Sequence, residues 1–183
     1  LISSGIISIQ DSGGASRNIL AFSGGVVQHG AAGGGVDAQT FSTSNVEAMR
    51  IDSSQHVLIG HTAGVLHQGE QHELQVSDTN FSLASFTTYR NGSDGAMLGL
   101  SHSRNGTKGS QTILNADDNM GGITFFGSDG TDFARGAQIR ALVDGTPGNN
   151  DMPGRIIFAT SSDGTDSPTE RMRINQSSVV ISN

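Results

Sequence analysis

The phrase "EAMRIDSSQHVLIG", residues 47–60, returns near the end of the chain as "ERMRINQSSVVIS", residues 170–182. A phrase used twice marks one structural unit used twice. Its period is two: Met49 and Ile51 alternate with Arg50 and Asp52, then Val57 and Ile59 alternate with Leu58 and Gly60 after a short polar turn. Alternation of that kind belongs to half-buried strands, so the unit is predicted to be a β-hairpin. The copy has Met172 and Ile174, a turn over 175–178, then Val179 and Ile181. Its turn is one residue shorter, and the same residues share a face.

Further strands are predicted in "GGITFFGS" around Ile123 to Phe126, "GAQIRALVD" around Ala137 to Val143, and "GRIIFATS" around Ile156 to Ala159. Asn-Gly or Asp-Gly pairs begin at Asn91, Asp94, Asn105, Asp129, Asp144 and Asp163. They supply the positive φ angles of tight turns and leave little room for long helices. "GSDGTD" at 127–132 recurs as "SSDGTD" at 161–166, so the second half contains a strand-and-turn repeat of its own. "TFSTSNVEAMRI" offers a helix cap but is read as strand. The stretch "QHGAAGGGVDAQ", residues 28–39, is either a linker or backbone packed closely against a neighbouring chain.

The apolar content is thin for 183 residues: Gly 26, no Trp, one Tyr and an aromatic share of 5%. A monomer of this composition buries little apolar area against its ordering entropy, and association with further copies relieves that shortage. The absence of cysteine excludes disulfides and thiolate metal sites. A net charge of −7, with Lys108 as the only lysine, argues against nucleic acid as a partner. Apolar runs such as "GIISI" are far shorter than a membrane span, and Leu1 is not expected to be the start of the gene product.

Few residues suggest chemistry. "HQGEQHE", residues 67–73, spaces His67 and His72 five apart, unlike the helical His-Glu-x-x-His of a zinc hydrolase, and reads as a polar loop. His56, His61 and His102 stand alone. Asp117, Asp118, Asp129, Asp132, Asp163 and Asp166 are carboxylates of the kind a glycosidase pairs, but the last four sit in turns that Asp side chains cap for their own backbone. No catalytic residue, metal ligand or cofactor follows from these patterns.

Residues 121–174, "GGITFFGSDGTDFARGAQIRALVDGTPGNNDMPGRIIFATSSDGTDSPTERMRI", together with the hairpin at 47–60, resemble a segment of tail-fibre and tailspike proteins of tailed bacteriophages. Hairpins of the type E-R-M-R-I-D-S-S-G-N-V-G-I-G recur there, often upstream of a self-cleaving trimerisation chaperone of the endosialidase type. Where that hairpin has Gly-Asn, this chain has Gln55 and His56, or 176–178 in the copy. None of these is a ready left-handed residue, so a wider loop is expected.

The resemblance implies an all-β chain of short hairpin modules in an elongated, intertwined homotrimeric fibre, a β-prism or triple-β-like shaft or knob. Ile51, Ile59, Ile174 and Ile181 are then expected to face the axis, with Arg50 and Arg173 outward or paired, Glu47 and Glu170 being their local partners. Three regions are expected: an N-terminal β segment at 1–60, a middle β region at 61–115 that is the candidate knob, and a C-terminal module at 116–183. The implied function is a structural and adhesion component of a virion tail fibre, with no enzymatic activity. Its partners would be two further copies of itself, other tail or baseplate proteins, and a bacterial surface glycan or protein. A glycan depolymerase and a capsid or baseplate decoration protein are the alternatives. Receptor contact is expected at Tyr89, Arg90, His102 and Arg104, since aromatic and arginine side chains are common anchors; Phe81 and Phe86 read as core, with Tyr89 capping a strand as the plainer reading.

Overall fold

Alternation of period two produces strands in both halves of the chain. A computed structural model describes residues 38–182 in full and three further strands, β1 (Ile6–Gln10), β2 (Ser16–Ser23) and β3 (Val26–Gln28), by their backbone. These three form an antiparallel sheet in the order β1-β2-β3. Residues 29–37 of the glycine-rich stretch lie outside the described residues. The fold is all-β, with no helix among the described residues.

The chain divides into two compact units: residues 1–65 with 71–84, and residues 66–70 with 85–183. The first holds a four-stranded sheet in the order β4-β5-β6-β9, built from β4 (Ala38–Thr43), β5 (Val46–Asp52), β6 (Val57–Ile59) and β9 (Leu74–Val76). Ser44 and Asn45, both at positive φ, make the two-residue turn between β4 and β5, the tight connection whose twist suits paired strands. The stretch weighed as a helix cap is therefore a hairpin. Leu58 is 1% exposed and Gln75 is 6% exposed. Gln75 accepts the Val65 N–H at 2.9 Å and donates to the carbonyls of Val65 and His72, so its burial is compensated.

The second unit holds a five-stranded antiparallel meander in the order β10-β11-β12-β13-β14: β10 (Asn119–Ser128), β11 (Phe133–Val143), β12 (Gly154–Thr160), β13 (Thr169–Ile174) and β14 (Val179–Ile181). The Asp-Gly pairs at 129, 144 and 163 lie in the first three of its four connections, with Gly130 and Gly164 at positive φ. The pairs at 91, 94 and 105 join no strands. A two-stranded hairpin, β7 (Leu66–His67) and β8 (Glu70–Gln71), turns through Gln68 and Gly69, both at positive φ. Within the second unit the His67 ring stacks on Phe133 at 4.7 Å and meets the edge of Phe126 at 5.3 Å, so the residues read as a polar loop form an ordered hairpin tip. Val143 and Ile157, 0% and 3% exposed, mark the core of this unit.

Of the span read as a middle β region, only β7 to β9 are strands; none follows until β10. Residues 78–103 make no backbone–backbone hydrogen bond to any described residue. Phe81 and Phe86, expected in the core, are 80% and 68% exposed, because no strand among the described residues comes to cover them.

Candidate functional site

The repeated phrase builds the same local structure twice. Met49 faces Ile59, Arg50 faces Leu58 and Ile51 faces Val57; in the copy Met172 faces Ile181, Arg173 faces Val180 and Ile174 faces Val179. Each phrase also carries a β-bulge at the same point. Phe41 pairs Met49 but Ser42 pairs Glu47, leaving Ala48 extra; Phe158 pairs Met172 but Ala159 pairs Glu170, leaving Arg171 extra. The carbonyl of the extra residue accepts a hydrogen bond in both, Ala48 from Gly60 N–H at 3.0 Å and Arg171 from Ser182 N–H at 2.8 Å.

The bulge explains the glutamate. In a regular strand, residues three apart point to opposite faces; one inserted residue restores them to the same face. Arg50 consequently reaches Glu47 at 2.5 and 2.8 Å, and Arg173 reaches Glu170 at 2.6 and 2.9 Å. These are the local partners expected from the sequence. The arginine bond is the main cause holding each glutamate carboxyl below its ordinary value.

The turns of the two hairpins differ by one residue as expected, but Gln55 departs from expectation. It takes φ +71°, the left-handed conformation, in place of a wider loop. The Asp52 carboxylate holds this turn by accepting the N–H groups of Ser54 and His56, both at 2.9 Å, with the His56 bond the first cause lowering its pKa. In the copy Asn175 Oδ1 accepts the N–H groups of Ser177 and Ser178.

Registers sort the sheets into faces. In the second unit one face carries the rows Ile123, Ile139, Phe158, Met172, Ile181 and Gly121, Ala141, Ile156, Ile174, Val179. The other carries Arg140, Ile157, Arg173 and Val180, with Arg155 nearby. The distribution of burial is inverted. Ile157 and Ala159, on the arginine face, are buried and of the side chains named there only Val180 at the sheet edge is exposed, whereas Ile123, Ile156, Ile174, Val179 and Ile181 on the apolar face are exposed, with Ile139, Phe158 and Met172 half-buried between them. The first unit repeats this: Leu58 and Gln75 are buried beside Arg50, while Phe41, Ile59, Leu74 and Val76 stand exposed on the other face. Contiguous apolar surface of this kind marks an interaction site.

Arg155 secures the covered face. It donates to Asp117 at 2.6 Å, Asp144 at 2.9 Å and the Val143 carbonyl at 3.1 Å, and its own pKa is raised chiefly by the Asp117 bond. Of the other candidate carboxylates, Asp118, Asp129, Asp132 and Asp166 are likewise engaged in structure. Asp118 accepts the Asn115 N–H, Asp132 accepts the Phe133 N–H, and Asp166 accepts from Gln68. Asp129 accepts the N–H groups of Thr131 and Asp132, the latter the first cause holding its carboxyl low. No group of three or more His, Asp or Glu side chains placed for a metal occurs among the described residues.

The four receptor candidates fall outside any strand. Tyr89 is 97% exposed, and Arg90 pairs with Asp94 across the loop between them. His102 Nδ1 lies 2.8 Å from the Asn119 carbonyl, and Arg104 lies 3.5 Å from Asp118. Sequence reasoning missed the bulges, Arg155 and Gln75. The bulges alone had a signal, since Glu and Arg three apart cannot pair across a plain strand.

No protein-family model matches the chain, and no curated protein matches it. Among solved structures, the carboxy-terminal domain of the bacteriophage T5 L-shaped tail fibre is similar to it with a TM-score of 0.63 and 9% identity, over 97% of this chain and 79% of that one. The chain thus has an all-β fold like that of a phage tail-fibre domain.

Proposed function

We propose that the chain is a structural and adhesion component of a phage tail fibre, working as a homotrimer on the virion and without enzymatic activity. The single observation that carries the assembly is the inversion of the sheets. The chain covers the faces bearing its arginines and leaves its aliphatic rows open, so the missing part of the core is supplied by two further copies. The likeness to a tail-fibre domain supports the setting.

Host attachment through a bacterial surface glycan or protein is assigned to the Tyr89–Arg90 loop, with His102 and Arg104 beside it. The test is adsorption of the fluorescently labelled chain to a panel of bacterial strains, with unlabelled chain as competitor. Saturable, competed binding to some strains, weakened at least several-fold by Tyr89→Ala and Arg90→Ala, is the expected result. Binding unchanged by both substitutions removes this loop from the reading.

A further inference from the structure

Residues 78–103 present a contradiction between sequence and structure. "NFSLASFTTYR" and "AMLGLSHS" flank "NGSDG", which is a strand, a turn and a strand by composition and by the alternation of Phe81 with Leu83 and Leu98 with Leu100. The Arg90–Asp94 ion pair closes the turn. Yet the two arms do not pair with each other or with any described strand. Apart from the Asn80 N–H, which goes to its neighbour Asp78, the backbone donors of this segment find no partner among the described residues.

The side chains point the same way. Phe81, Leu83, Phe86, Tyr89, Met97 and Leu98 are each 65% exposed or more. With large side chains carrying about 150–250 Å² when aromatic, the segment leaves on the order of 1,000 Å² of apolar surface open per chain. That exceeds the ~800 Å² per partner of a stable interface. Within the second unit, Leu100 of this segment lies against Gly121 of the five-stranded sheet, where an added Cβ would sit 2.7 Å from the leucine Cβ.

Building on the trimeric reading, we infer that residues 80–90 and 96–102 are strands whose hydrogen-bonding partners come from the neighbouring copies. Each chain gives two arms to a sheet shared around the axis. Backbone groups that find no partner among the described residues are satisfied between chains, and the apolar side chains of the arms close over the open row at Ile123. Tyr89 and Arg90, next to the turn at 91–95, stay at the outer end of the arms.

The test combines amide hydrogen exchange, read by mass spectrometry on the assembled chain, with the molar mass of the unmodified chain and of Leu98→Pro. Proline removes a ladder donor that a surface loop would not need. Expected are a trimeric mass, exchange across 80–90 and 96–102 slowed roughly a hundredfold or more relative to an unstructured peptide, and loss of the trimer in Leu98→Pro. A trimer whose two arms exchange freely, or which tolerates Leu98→Pro, overturns this inference and leaves the trimeric reading standing. A monomeric unmodified chain, with its arms protected or not, overturns both.

Discussion

Arg173 donates Nε–H to Glu170 Oε1 at 2.6 Å and Nη2–H to Oε2 at 2.9 Å, although the two residues are three apart on one strand. The β-bulge at Arg171 makes this possible, and Ala48 does the same for Arg50 and Glu47. Both glutamates, and Asp52 and Asp129, titrate below their ordinary values of 4.5 and 3.8 in the folded chain. The folded chain therefore binds fewer protons than the unfolded chain in that range. Their contribution is present above the ordinary carboxylate values and is lost as pH falls through the lowered ones. Melting temperature measured from pH 7 to pH 3 should fall on the acid side, and the fall should be shallower in the double variant Glu47→Gln with Glu170→Gln.

Arg155 should be harder to replace than either paired arginine. Its side chain is 11% exposed and serves two carboxylates and a carbonyl. Arg155→Met leaves Asp144 and the Val143 carbonyl without this donor, at a cost of about 2 kcal/mol. Chemical denaturation at fixed chain concentration reads this, and an unchanged midpoint would mean that water replaces the guanidinium without loss.

Leu58 and Ile59 are adjacent in sequence and opposite in role. Leu58 is 1% exposed within the chain, so Leu58→Ala should destabilise by about 2–5 kcal/mol through lost burial and a residual cavity. Ile59 is 36% exposed on the open face. Ile59→Ser should lower the assembled mass at low concentration while preserving the far-ultraviolet signature of strand.

Gly60 and Ser182 end the two copies of the hairpin. Gly60 has φ +80°, and a Cβ there would lie 2.0 Å from the Ser77 carbonyl oxygen. Gly60→Ala should therefore destabilise by about 2 kcal/mol or more, since both the backbone conformation and the passing strand end oppose it. At Gln55 the sign reverses. Its φ of +71° favours glycine, so Gln55→Gly should raise stability by about 0.5–1 kcal/mol, read as a small increase in melting temperature.

The hairpins were legible because alternation of period two survives in any environment that buries one face. Met49, Ile51, Val57 and Ile59 share a face as read, and so do Met172, Ile174, Val179 and Ile181. What alternation does not tell is which face the chain covers for itself. The sequence makes the isoleucine face look like core, yet Leu58 and Ile157 on the arginine faces are the buried residues. The same limit explains Phe81 and Phe86: they carry a strand pattern, but a strand exists only where a partner lies, and none comes from the described part of the chain. The left-handed Gln55 was missed because the Asp52 side chain, by holding two N–H groups of the turn, stabilises a conformation that residue type alone disfavours.

The most direct test of the trimeric account is the molar mass of the chain by light scattering during size exclusion, alongside the variant Ile174→Asp on the open face. A mass near three times 18.9 kDa for the unmodified chain, falling toward one chain in the variant, is the expected result. A well-folded species of 18.9 kDa with the aliphatic rows still open would contradict it.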